Sequence, residues 1–171
     1  MEEMVPRPLT KDQIGLLKTT FRLLDAQRLG QRFYHKLFTL HPQLEPMFTA
    51  NLDEQIAKIV SVLELVIFSF EEKRHDQFEL QESTILPLRD LGKKHEHKGV
   101  INAHYPIAND VLLHSIQEEG RGLLSTEALD AWKLALDHLS YAMLNTKVAA
   151  SSTARTIKES FGLLKRILKR D

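Results

Sequence analysis

The sequence predicts an all-α protein. Glycine and proline are scarce, at 7 and 6 of 171 residues, so few positions interrupt a helix. Apolar residues recur three and four positions apart along most of the chain, which is the spacing of one helix face, and strand-like alternation is missing. With 43% hydrophobic residues the chain can bury a sizeable core, and its length suggests a single domain.

The first half of the chain divides into a short tail and four predicted helices. Residues 1–9 are expected to form a loose, proline-bearing tail. Thr10 is expected to cap the first helix, because a threonine hydroxyl can accept a hydrogen bond from a free backbone N–H of the first turn. The four helices are predicted at residues 10–27, 29–40, 42–48 and 51–72, of which the third is short and tight.

The second half begins with a polar loop, predicted at residues 73–81, and then returns to helices. The next helix carries His95 and is expected to end at Gly99. Later helices are predicted at residues 102–119, 125–148 and 156–169, with a linker of small residues before the last. The chain is therefore divided into a tail at 1–9, a folded domain at 10–150 and a basic amphipathic C-terminal helix at 151–171.

Composition limits the classes of function. The formal net charge is zero, which gives no indication of a nucleic-acid partner, although residues 151–171 carry a local charge of +4. The chain has no cysteine, which excludes disulfides and thiolate metal sites. Neither an N-terminal apolar signal region nor a run of roughly 18 to 20 apolar residues is found, so a cytoplasmic protein is expected.

His95 is the strongest candidate for a metal ligand. Leu88 and Leu91 lie seven and four residues before it, so on a helix they share the face of its imidazole. A buried structural histidine is the alternative and, for a histidine in isolation, the commoner case. The surrounding sequence favours the ligand.

Several segments together resemble bacterial single-domain globins and the globin domain of flavohaemoglobins. The resemblance covers about residues 10–147. It rests on residues 29–38, 41–48, 53–59, 99–100, 104–106 and 131–133, together with His95. It implies a globin fold, with about eight helices around a haem pocket, followed here by the additional C-terminal amphipathic basic helix.

The resemblance also implies a cofactor, haem b, and a role for each matching residue. His95 would be the proximal iron ligand, and Tyr34 and Gln55 the distal polar pair. Their donors would stabilise bound dioxygen, which carries partial negative charge. Phe48 would wedge against the haem face. The remaining haem contacts are expected from Lys58, Ile59, Leu91, Val100, Tyr105 and Leu136.

Simpler structural roles stay open for several of these residues. Tyr34 could be a core tyrosine with its hydroxyl bonded to backbone, and Gln55 an exposed amide. Lys58 could reach a haem propionate or be a solvated surface lysine. Leu136 could equally belong to the ordinary core. The sequence also departs from the family pattern, because gapless counting puts Lys147 where flavohaemoglobins have the carboxylate of a hydrogen-bonded relay to the proximal histidine.

The function that the resemblance implies is binding of dioxygen, nitric oxide and carbon monoxide, with conversion of nitric oxide and bound dioxygen to nitrate. An external reductase would be needed, since 171 residues leave no room for a flavin or nicotinamide domain. A gas or redox sensor that signals through the C-terminal helix is the alternative. A haem-free interaction module with a globin fold is the third hypothesis.

The C-terminal helix carries an apolar stripe beside its basic side chains. The stripe consists of Ile157, Phe161, Leu164 and Leu168. Residues 155–170 are expected to pack on the domain, form a homodimer contact, dock a signalling partner or attach to an anionic membrane surface.

Overall fold

The computed structural model describes residues 5–145. Within this range six α-helices and one short 3-10 helix account for most of the chain, and one β-hairpin interrupts them. In chain order these elements are α1 (Lys11–Leu23), α2 (Ala26–Leu40), the 3-10 helix (Pro42–Met47), α3 (Leu52–Phe68), β1 (Phe70–Arg74), β2 (Gln77–Leu80), α4 (Glu82–His97), α5 (His104–Glu119) and α6 (Thr126–Leu144). The predicted C-terminal helix and Lys147 lie outside the described residues.

Side-chain caps determine where the first two helices begin. Thr10 and Gln13 form a reciprocal capping box, in which each side chain accepts a hydrogen bond from the other residue's backbone N–H. The second helix starts at Ala26, because Asp25 accepts a bond from the Arg28 backbone N–H at 2.9 Å. The predicted boundary between helices at residues 27–29 is therefore wrong, and α1 ends at Leu23.

The loop predicted at residues 73–81 is also wrong. Strands β1 and β2 pair antiparallel there, with Phe70 opposite Leu80 and Glu72 opposite Phe78. Asp76 adopts a positive φ of 52° in the turn, and its carboxylate accepts a 2.7 Å bond from the Lys11 backbone N–H. The hairpin thus also contacts the start of α1.

Residues 7–9, just before α1, are packed against the rest of the protein. Leu9 is fully buried and forms an antiparallel bridge with Phe78, so it extends the hairpin by one pairing. The Arg7 carbonyl accepts a 2.9 Å bond from Nε2 of His138 on α6. These contacts tie residues 7–9 of the predicted tail to the hairpin and to α6.

The core is built from buried side chains of all six α-helices. Trp132 on α6 is fully buried, and its indole N–H donates to the Thr20 hydroxyl on α1 at 2.9 Å. A buried carboxylate, Glu119 at the end of α5, receives hydrogen bonds from Arg28 and Arg32 of α2 at 3.1 and 2.8 Å. Within residues 5–145 no helix is both long and apolar enough to cross a membrane.

Candidate functional site

Tyr34 lies in a cluster of aromatic rings on the inner face of α2. Its ring centroid is 4.9 Å from that of Phe33, 5.8 Å from Phe38 and 5.5 Å from Phe48. The side chain is buried, and burial raises the pKa of Tyr34 to about 12. The phenol is therefore neutral at physiological pH and keeps its proton for donation.

The hydroxyl of Tyr34 points to α3, where it donates to the backbone carbonyl of Gln55 at 3.3 Å. The two helices come close because Gly30 faces Ile56, and a Cβ at Gly30 would lie 2.5 Å from Cγ2 of Ile56. This crossing brings the Tyr34 hydroxyl next to the backbone of Gln55. The bond to backbone is also the geometry expected of a core tyrosine.

Phe48 follows the 3-10 helix that Pro42 begins. Its backbone N–H donates to the Glu45 carbonyl at 3.0 Å, which fixes where the ring leaves the helix. The ring packs edge-on against Tyr34 and lies 5.2 Å from the ring of Phe38. Sequence reasoning missed Phe38, although its position four residues after Tyr34 placed it on the same helix face.

His95 lies in the last turn of α4 with one ring nitrogen already bonded. Nδ1 is 2.8 Å from the backbone carbonyl of Leu91, one turn earlier on the same helix. A carbonyl can only accept, so Nδ1 carries the proton and Nε2 of the neutral ring has a free lone pair. Burial lowers the pKa of His95, which favours that neutral form. This is the tautomer of a histidine that binds a metal through Nε2.

Tyr105 packs beside this histidine from α5. The two ring centroids are 6.5 Å apart in an edge-on arrangement. Burial raises the pKa of Tyr105, and the nearby Glu96 carboxylate adds to the rise. The helix ends as predicted at Gly99, which has a φ of +86°, and the Val100 backbone N–H closes the last turn by donating to the His95 carbonyl at 3.0 Å.

The remaining predicted contact residues differ in burial. Ile59 on α3, Leu91 on α4 and Val100 after α4 are half-buried, Lys58 is exposed, and Leu136 is buried in the core of α6. Covering a half-buried apolar side chain with a ligand is favourable, because it removes apolar surface from water. Within residues 5–145, α3 and α4 are not among the extensively packed helix pairs. The half-buried side chains of Ile59, Leu91 and Val100 thus leave apolar surface that a ligand could cover.

The donor set fits a group held by one histidine rather than by a cluster. No group of three or more histidine, cysteine or carboxylate side chains that could hold a metal ion occurs in the part of the chain that the structure describes. A metal bound at His95 therefore needs its other ligands from elsewhere. These features point to an all-α protein that binds a metal-containing group through one histidine, His95, and has the buried Tyr34 as a hydrogen-bond donor.

The chain belongs to the globin family. The family model described as Globin matches residues 31–143. Leghemoglobin 3 of Sesbania rostrata is 33% identical over 140 residues, covering 78% of this chain and 95% of that protein. A flavohemoprotein of Rhizobium meliloti is 29% identical over 134 residues, covering 77% of this chain but 32% of that protein. The chain thus spans about a third of the length of this flavohemoprotein.

Solved structures show the same fold. A bacterial globin from Campylobacter jejuni superposes with a TM-score of 0.68 at 22% identity, covering 84% of this chain and 99% of the other. An engineered carbene transferase from Rhodothermus marinus gives a TM-score of 0.69 at 20% identity, with coverage of 86% and 99%. The predicted all-α globin fold is confirmed.

Proposed function

We propose that this protein binds haem b through His95 and uses it to bind dioxygen, nitric oxide and carbon monoxide. The observation that supports this best is the hydrogen bond from Nδ1 of His95 to the Leu91 carbonyl, which leaves Nε2 free and fixes the plane of the ring. Haem supplies the iron that binds the diatomic ligand and exchanges electrons with it.

The apolar side chains that the resemblance assigns to the haem pocket would hold the macrocycle and exclude water. Phe48, Ile59, Leu91 and Val100 are half-buried and would be covered by it, whereas Leu136 would form part of the rear wall. Lys58 is exposed on α3 and is proposed to contact a propionate at the edge of the pocket. The apolar contacts stabilise the bound cofactor chiefly by removing apolar surface from water.

Tyr34 and Gln55 would stabilise a bound diatomic ligand. The phenol stays protonated up to a pKa of about 12, so it can turn from the Gln55 carbonyl to a better acceptor. Its present bond is long, at 3.3 Å, and is therefore weak enough to exchange. Gln55 is half-buried in the first turn of α3, and its side-chain amide offers a second N–H donor.

We further propose that the protein converts nitric oxide to nitrate. Nitric oxide and dioxygen combine with one electron to give nitrate, so the atoms balance without a further substrate. Similarity to part of a flavohemoprotein supports this reaction. An external reductase is proposed to restore the electron. The donors of Tyr34 and Gln55 would keep dioxygen bound until nitric oxide arrives.

Two measurements test these proposals separately. Visible spectra of the ferric, ferrous and carbon-monoxide forms should show a Soret band, and its absence would overturn the haem assignment. One equivalent of nitric oxide should then be mixed with the ferrous, dioxygen-loaded protein. The expected yield is close to one nitrate for each haem. A normal Soret band with no nitrate would leave gas binding intact and remove the dioxygenase activity.

A further inference from the structure

The carboxylate of Glu119, the last residue of α5, is bonded through both of its oxygens. Its side chain is only 2% exposed. Oε1 accepts from Nε of Arg28 at 3.1 Å and lies 3.0 Å from Nη2 of the same residue, and Oε2 accepts from Nε of Arg32 at 2.8 Å. Both arginines belong to α2, the helix that carries Tyr34. The carboxylate therefore joins α5 to α2 at two positions about one helical turn apart.

Such a contact determines geometry more than stability. Taking the Glu119 carboxylate out of water costs free energy, which offsets much of its attraction to the two guanidinium groups. A carboxylate that accepts a bond on each oxygen from planar guanidinium groups has few orientations available. The rotation of α2 about its axis and its position along α5 are thus restricted together.

The two arginines lie on the side of α2 that faces away from Tyr34. Two residues correspond to about 200° around a helix axis, which is the separation between Arg32 and Tyr34. The same separation places Gly30 opposite Arg28. At Gly30 the helix meets Ile56 of α3 so closely that a Cβ would lie 2.5 Å from Cγ2 of that side chain. Helix α2 is therefore held between α5 on one side and α3 on the other, and Tyr34 lies on the α3 side.

We propose that Glu119 is a positioning residue for Tyr34. By holding α2 through both arginines, its carboxylate sets how α2 sits against α3 and thus where the Tyr34 hydroxyl lies. A hydrogen bond weakens steeply as its distance and angle depart from the optimum, so a small shift of α2 changes what this hydroxyl can donate to. Glu119 acts from the far side of α2 and only through Tyr34, so this role rests on the proposed function of Tyr34 as a donor to bound dioxygen.

Glu119→Gln provides the test, because it keeps the shape of the side chain and removes its charge. The arginine side chains are 53% and 39% exposed, so both can turn to water and leave no unpaired charge buried. Glu118→Gln is the matched control, since Glu118 pairs with Lys36 of the same helix α2 at an exposed position. The dioxygen dissociation rate should be measured for each haem-loaded variant, with and without Tyr34→Phe.

Dioxygen should dissociate faster from Glu119→Gln than from wild type, by less than the roughly tenfold expected when the Tyr34 hydroxyl is removed altogether. In the Tyr34→Phe background the same change should have no further effect, because no hydroxyl is left to misplace. A role limited to stability would lower the urea midpoint without making the dissociation rate depend on Tyr34. Equal acceleration in both backgrounds overturns the proposal, and so does an unchanged rate in Glu119→Gln.

Arg32→Gln is the second variant in case Glu119→Gln does not fold, because it leaves both contacts of Arg28 with the carboxylate in place. The same dependence on Tyr34 is expected, and an effect that is equal with and without the hydroxyl again overturns the proposal.

A readout that needs no gas ligand separates failure of this proposal from failure of the proposed function. In protein labelled with ring-¹³C tyrosine, the nuclear magnetic resonance signals of Tyr34 are assigned by their loss in Tyr34→Phe. They should shift in Glu119→Gln and stay in place in Glu118→Gln. Unshifted signals overturn the positioning role, whether or not the protein binds haem. Shifted signals, with no effect of Tyr34→Phe on dioxygen dissociation, support the positioning role and refute the donor role.

Discussion

His95 and Tyr34, on the two sides of the candidate site, are held by different kinds of contact. The imidazole of His95 is bonded at 2.8 Å to a carbonyl of its own helix. That helix is in turn packed tightly on α6, because a Cβ at Gly92 would lie 2.0 Å from the Met143 carbonyl oxygen. Tyr34, by contrast, is surrounded by side chains, and its hydroxyl reaches another helix through a longer 3.3 Å bond.

The difference separates a rigid side from an adjustable one. A bond within one helix moves with that helix, so the orientation of His95 follows the position of α4. A hydroxyl can rotate and exchange one acceptor for another, so Tyr34 can respond to a ligand without any backbone movement. Substitution of His95 should therefore abolish stable haem binding altogether, whereas substitution of Tyr34 should change the rate of ligand release by degrees.

The largest expected effect is that of His95→Ala. The variant should lose stable haem binding, or regain it only when free imidazole is supplied, because no other metal-binding group is clustered in residues 5–145. Haem content and the ferrous spectrum measure this. His97→Ala is the matched control, since Nδ1 of His97 makes the same kind of bond, at 2.7 Å to the Lys93 carbonyl, on an exposed face. Normal haem content in His95→Ala would refute the assignment.

Gly92→Ala should give the next largest effect. The new methyl group would overlap the Met143 carbonyl, so α4 and α6 must move apart. Overpacking of this kind costs about 1–3 kcal/mol of unfolding free energy. Gly15→Ala is the control, because a Cβ at Gly15 would meet no atom within 4 Å, and it should stabilise α1 by roughly 0.5–1 kcal/mol. Equal urea midpoints for the two variants would show that the α4–α6 contact is not tight.

The helices of the fold could be predicted from sequence because their signals are local. The spacing of apolar residues and the pairing of Thr10 with Gln13 lie within a few residues of each other. The hairpin was missed because only Phe78 and Leu80 alternate on β2 and its turn has no glycine. Its turn residue Asp76 is instead held by Lys11, which is distant in sequence.

In the candidate site, too, local features could be predicted from sequence and tertiary contacts could not. The resemblance predicted Tyr34 and Gln55 as the distal polar pair, and the structure places the Tyr34 hydroxyl 3.3 Å from the Gln55 backbone carbonyl. The acceptor of the Tyr34 hydroxyl could not be predicted, because it depends on how closely α2 and α3 approach at Gly30, which is a tertiary contact. The roles of these residues toward haem remain predictions.

Tyr34→Phe should have a moderate effect on ligand release. Loss of one hydrogen bond to a partly charged acceptor, at about 1.4 kcal/mol, speeds dioxygen dissociation roughly tenfold. Carbon monoxide is less polar when bound, so its dissociation should change less. Stopped-flow or flash-photolysis measurements of both ligands check this. Equal changes for the two ligands would indicate a steric role for the phenol. An unchanged dioxygen dissociation rate would mean that the Tyr34 hydroxyl stays bonded to the Gln55 carbonyl and does not contact the ligand.

The smallest expected effect concerns His138, on the face of α6 that contacts the hairpin. Burial lowers the pKa of His138, and this outweighs the opposing effects of the Arg7 carbonyl and the Glu79 and Asp137 carboxylates. The unfolded chain, with a histidine pKa of about 6.5, then takes up a proton before the folded protein does. Unfolding free energy should accordingly fall as pH drops below about 6.5, and should be unaffected by this group at higher pH.

His138→Gln removes the titrating group but keeps a side chain that can donate to Arg7. Its loss of stability between about pH 7 and pH 5, on either side of the ordinary histidine pKa, should be smaller than that of wild type, measured by urea unfolding at each pH. Dioxygen dissociation in the variant should match wild type, since His138 contacts Phe70 at a centroid distance of 5.4 Å and Arg7 rather than His95 or Tyr34. An identical pH dependence in both proteins would mean that His138 titrates normally in the fold. A changed dissociation rate would mean that the hairpin side of α6 is coupled to the rigid side of the site.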